Sequence, residues 1–102
     1  MLKIALIDDK DYGLHQIKKI HEKEQFSLCY YESINKFRES EDLYDIIYLD
    51  YYLDKDGITG VTVAEEVKLR TKKLVGFSSI EKYSKELLEA GADSAIVKMH
   101  LT

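Results

Sequence analysis

Five short apolar runs recur along the chain, with amphipathic stretches between them. Lys3–Ile7 is apolar and partly β-branched, which predicts a strand. Leu14, Ile17, Ile20 and His21 recur at helical spacing and predict a helix from about Tyr12 to Lys23. Ser27–Tyr31 reads as a second strand. Ser33 is placed to cap a short second helix with Ile34 and Phe37 on its inner face. Ile46–Leu49 is apolar at every position, as expected of a central parallel strand buried on both faces. Residues 54–60 form a loop by composition, and Val63, Ala64 and Val67 mark the core stripe of a third helix. Lys73–Phe77 predicts a fourth strand, and a fourth helix follows from about Ile80 to Ala90 with Leu87 and Leu88 inward. Gly91 suits the end of that helix, and Ser94–Val97 predicts a fifth strand.

Strand and helix alternate throughout, which implies right-handed crossovers and a parallel sheet flanked by helices. In such sheets ligands bind beyond the carboxyl ends of the strands, where strand order reverses. Polar residues gather at those ends. Asp8 and Asp9 follow the first strand, Asp50 the third, Ser78 and Ser79 the fourth, and Lys98 the fifth. Three carboxylates in one place repel one another and raise each other's pKa. A divalent cation relieves that repulsion, and hard carboxylate oxygens suit Mg2+. Space then remains for a phosphoryl group, with the Ser78 hydroxyl and the Lys98 ammonium as its partners. A carboxylate can attack phosphorus and form an acyl phosphate. Phosphoryl transfer asks mainly for positioning and charge neutralisation.

Bulk properties narrow the field. The chain has 102 residues, the size of one domain, with no proline and no linker, repeat or low-complexity segment. A net charge of -4 gives no general attraction for nucleic acid or anionic membrane, so direct contact with either is not expected. The single cysteine, Cys29, excludes an internal disulfide and reads as a small hydrophobe on a strand. No apolar stretch approaches the roughly 20 residues of a membrane span, and no signal peptide precedes the first strand. A cytoplasmic protein is the expectation.

Taken in order, Ile7-Asp8-Asp9, Tyr48-Leu49-Asp50, the loop reaching Gly60, Val75-Gly76-Phe77-Ser78-Ser79, Ala90-Gly91-Ala92-Asp93 and Ile96-Val97-Lys98 resemble the receiver domain of two-component response regulators. The resemblance spans nearly the whole chain. It implies a flavodoxin-like α/β sandwich, one domain over residues 1–102, with a five-stranded parallel sheet of order 2-1-3-4-5. It makes Asp50 the phosphoacceptor and Asp8 and Asp9 the Mg2+ ligands, with the Tyr52 carbonyl completing the metal shell. Ser78 becomes the switch hydroxyl and Lys98 the phosphate-binding lysine. The implied donor is a histidine kinase or a phosphotransfer protein. The implied output is altered binding of a downstream protein through the fourth helix and fifth strand. The chain would then be no turnover enzyme, only the catalyst of its own phosphorylation and dephosphorylation.

Four departures from the family pattern stand out. Met99 follows Lys98, where the family usually has proline after a cis peptide. Ala95 occupies the place of the switch aromatic. The chain stops at Thr102, where the last helix should begin, which leaves one sheet face for a partner or a second copy to cover. The loop from Asp50 to Gly60 is long, lacks the usual proline and carries Asp54, Lys55 and Asp56.

Two other functions compete with this one. A pseudo-receiver would keep the fold as an interaction module without phosphorylation. A small Mg2+-dependent phosphatase would use Asp9 of Asp9-Lys10-Asp11 as nucleophile, although such enzymes need a larger core. Asp54, Asp56 and Gly57 do not make a calcium loop, because Tyr52 and Val63 fall where acidic ligands belong. His15, His21 and His100 lack ligand spacing and read as surface or boundary residues. Lys82 and Lys85 read as a solvated helix face. Most of the eight tyrosines read as packing, with Tyr51 beside the site.

Overall fold

A computed structural model describes residues 1–53 and 57–99. Asp54, Lys55, Asp56 and His100, singled out above, lie outside the described residues. The elements are β1 (Leu2–Ile7), α1 (Gly13–Ile20), β2 (Phe26–Tyr31), α2 (Ile34–Ser40), β3 (Tyr44–Leu49), α3 (Gly60–Lys68), β4 (Thr71–Ser78), α4 (Glu81–Glu89) and β5 (Ser94–Val97). The strands form one parallel sheet of order β2-β1-β3-β4-β5. Among the described residues no helix is long and apolar enough to cross a membrane.

Alternation along the central strands divides the core into two layers. Ile4, Leu6, Tyr48, Val75 and Phe77 face α1 through Ile17. Ala5, Ile7, Ile47, Leu49 and Leu74 face Ile34 and Phe37 of α2, Val63, Ala64 and Val67 of α3, and Leu87 of α4. One face therefore carries three described helices and the other carries one. Ser33 caps α2 as expected, its Oγ accepting the Lys36 N–H at 3.2 Å. Gly91 takes φ +122° just past α4, a conformation that favours glycine.

The structure corrects three expectations about the helices. The first helix ends at Ile20 rather than near Lys23. Ile20 is exposed and His21 takes its place in the core, because Leu14, Ile17 and His21 are the positions that share a face. His21 is thus no surface histidine. Its Nε2 lies 2.8 Å from the Tyr48 hydroxyl and its Nδ1 2.8 Å from Glu24 Oε1. Both ring nitrogens are thereby satisfied, which makes its burial tolerable. Of the two α4 leucines only Leu87 is buried, together with Ser84. Leu88, one residue and about 100° further round the helix, is 42% exposed.

Arg70 carries a role that the sequence did not disclose. Its guanidinium stacks on Phe37, 3.9 Å from the ring centroid, and donates to Phe37 O, Ser40 Oγ and Asp42 O. It thereby ties down the Phe37 carbonyl in the last turn of α2, which also accepts the Ser40 hydroxyl, and the Asp42 carbonyl just beyond the helix.

Candidate functional site

The ladder hydrogen bonds of the sheet continue one residue past the strands and fix the polar groups there. The Asp8 N–H donates to Tyr31 O at 3.1 Å, the Asp50 N–H to Ile7 O at 3.0 Å, and the Lys98 N–H to Ser78 O at 3.0 Å. Asp8, Asp50, Ser78 and Lys98 are all buried, at 0, 6, 4 and 4% exposure. Asp9 is exposed beside them.

Lys98 Nζ donates to Asp8 Oδ2 at 2.7 Å and to Asp50 Oδ1 at 3.0 Å. The Lys10 N–H donates to the other Asp8 oxygen at 3.0 Å. Carboxylate oxygens of Asp8, Asp9 and Asp50 all lie within 4.8 Å of one another. Two buried acids share one ammonium, so the centre carries surplus negative charge. Burial, and then the Asp50 carboxylate, push Asp8 up to about 7, against the lowering effects of Lys98 and the Lys10 N–H. Burial disfavours the charged form of Lys98, but Asp8 and Asp50 outweigh it and hold the ammonium above its ordinary pKa. Surplus charge and hard oxygen donors fit a divalent cation bound by Asp8, Asp9 and Asp50.

Ser78 Oγ accepts the Ile80 N–H at 3.2 Å at the start of α4. Ser79 is exposed. Beyond Asp50 the chain folds back on itself. Tyr52 bridges Thr59, the Leu53 N–H donates to Ile58 O, and the Gly60 N–H donates to Tyr51 O at 2.6 Å. Gly60 passes so near Asp50 that a Cβ there would fall 2.2 Å from the Asp50 carbonyl oxygen. The start of α1 is equally tight. A Cβ on Gly13 would lie 2.6 Å from the Phe77 ring and 3.4 Å from Lys98 Cδ. The Lys98 ammonium sits 5.3 Å from the centroid of the Tyr12 ring.

Features that reach α4 from this site were only partly legible. Tyr51 stacks on Tyr83 with centroids 3.9 Å apart and ring planes 10° apart, and the Tyr52 hydroxyl lies 2.8 Å from that of Tyr83. Tyr51 does flank the site, but its partner on α4 was not foreseen. Leu87 sits in a recess between three small residues. A Cβ on Gly60 would meet it at 2.8 Å and one on Gly76 at 3.0 Å, and the Ala95 methyl lies beside Gly76. Leu87 therefore shares the space next to position 95, where the family resemblance leads one to look for an aromatic ring.

No protein-family model matches the chain, and no curated protein does. Solved structures do. A two-component response regulator from Clostridium difficile is 22% identical with a TM-score of 0.77, over 99% of this chain and 86% of that one. The response regulator TrrA from Thermotoga maritima, in complex with Mg(2+)-BeF, is 23% identical with a TM-score of 0.76, over 97% and 88%. A CheY-like receiver domain protein from Methanospirillum hungatei is 21% identical with a TM-score of 0.75, over 99% and 84%. The chain therefore has the flavodoxin-like fold of response regulator receiver domains.

Proposed function

We propose that the chain accepts a phosphoryl group on Asp50 and that phosphorylation changes its binding to a partner protein. One observation carries this reading: buried Asp50 shares the Lys98 ammonium with buried Asp8 at the carboxyl edge of the sheet. An oxygen of the Asp50 carboxylate attacks phosphorus of a phosphohistidine on a histidine kinase or phosphotransfer protein. The O–P bond forms, the N–P bond breaks, and the imidazole leaves with its electron pair and takes up a proton. Asp8, Asp9, Asp50 and the Tyr52 carbonyl would hold Mg2+, which when bound supplies positive charge against the phosphoryl oxygens. Lys98 lies in reach of the same oxygens and needs to give up only its bond to Asp50. The Ser78 hydroxyl turns to donate its O–H to a phosphoryl oxygen, which draws Oγ away from the Ile80 N–H that it accepts and alters the start of α4. Released from that bond, α4 and β5 offer the altered surface to the target.

Asp50 suits this role better than Asp9, the nucleophile of a phosphatase, because Asp50 and not Asp9 is held by the lysine. A cytoplasmic setting and a second copy over the α1 face belong to the same proposal.

Incubation with radiolabelled acetyl phosphate and Mg2+ tests it. Wild type takes up an alkali-labile label, chelation of Mg2+ abolishes it, and Asp50→Asn abolishes it while leaving the fold intact. Label that persists in Asp50→Asn refutes the assignment, and a wild type that takes no label favours the phosphorylation-independent module.

A further inference from the structure

We propose that Gln16 is a positioning residue for Lys98, clamping the backbone on both sides of it. Gln16 Nε2 donates to Val97 O at 2.8 Å, and Gln16 Oε1 accepts the Met99 N–H at 2.7 Å. A primary amide presents one donor and one acceptor side by side. The backbone flanking a single residue presents the complementary pair, a carbonyl before it and an N–H after it. The Lys98 N–H itself is tied to Ser78 O. Lys98 is thus held by β4 from one side and by α1 from the other.

Lysine needs such support. Its ammonium ends a flexible four-carbon stem, and its worth at the site depends on where the charge lies. The segment contains no proline to stiffen it, and the Lys98–Met99 peptide is trans. Helix α1 can reach across because Gly13, one turn before Gln16, has no Cβ to strike Phe77. The helix therefore supplies, through one side chain 83 residues away, a restraint that the local sequence omits.

The catalytic meaning of this clamp rests on the Asp50 reading, but the clamp can be tested apart from it. Gln16→Ala should label with acetyl phosphate about ten-fold more slowly than wild type, the order expected for a misplaced charged group. In ¹⁵N NMR the hydrogen-bonded Lys98 ammonium should give a resolved signal in wild type that broadens beyond detection in Gln16→Ala. The Met99 amide should exchange at least ten-fold faster in that variant, and should stay protected in Gln16→Glu, which keeps the acceptor oxygen. An unchanged labelling rate overturns the inference. So does a slower rate with the Lys98 signal unaltered, since the effect would then not pass through Lys98. If wild type takes no label, the Asp50 reading fails by itself. The Gln16 clamp is then upheld if the Lys98 signal and Met99 protection depend on Gln16, and overturned if they do not.

Discussion

At the scale of the residue, Asp8 dominates the site's electrostatics. It has no exposure to water and only half of an ammonium for a counter-ion. Its pKa is raised in the folded chain, from 3.8 to about 7. Between those values the folded protein keeps a proton that the unfolded chain has lost. Metal-free stability should therefore fall as pH rises through that window and level off above it. Melting temperatures from pH 5 to 8 check this. Asp8→Asn should flatten the slope and melt above wild type at pH 8. On the proposal that Asp8 is a Mg2+ ligand, which must be deprotonated to bind, the Mg2+ dissociation constant should also tighten about ten-fold per pH unit below 7, then stop changing. The acids, Ser78 and Lys98 were legible in the sequence because each stands directly after an apolar run. Gln16 was not, and His21 was read both as part of the helical stripe and as a surface or boundary residue. Periodicity marks a buried position only when an apolar residue fills it, and the partners of Gln16 are main-chain atoms at the far end of the chain.

At the scale of the element, strands were read more accurately than helix ends. The middles of the strands are apolar on both faces. Their ends run on into charged or polar residues, such as Thr71 and Lys72 of β4, where the ladder continues but hydrophobicity does not. The recess that receives Leu87 could not be read at all, since glycines at positions 60 and 76 signal only freedom until a neighbour is seen. That recess joins α4 to the turn beyond Asp50. Gly60→Ala should destabilise the chain by about 1–3 kcal/mol in urea titration. It should also depress Asp50 labelling, since the added methyl can be accommodated only by moving the Asp50 carbonyl or the start of α3. Unaltered stability in Gly60→Ala would show that this close approach relaxes without cost.

At the scale of the whole molecule, the two faces of the sheet are unequally covered among the described residues, by α1 on one side and by α2, α3 and α4 on the other. On the proposal that a second copy shares the thinner side, light scattering should give the mass of a dimer once Mg2+ and beryllofluoride are present. A monomer's mass under all conditions removes the second copy from the proposal. The chain order that sets this layering was legible from strand–helix alternation. The side with three helices also contains the stacked pair Tyr51 and Tyr83, which ties the turn beyond Asp50 to α4. The chain has no tryptophan. Two phenols a ring's thickness apart couple their electronic transitions, and no indole absorbs over them. Near-ultraviolet circular dichroism of the unlabelled protein therefore records the distance between the turn beyond Asp50 and its neighbouring helix, with Tyr83→Leu as the blank.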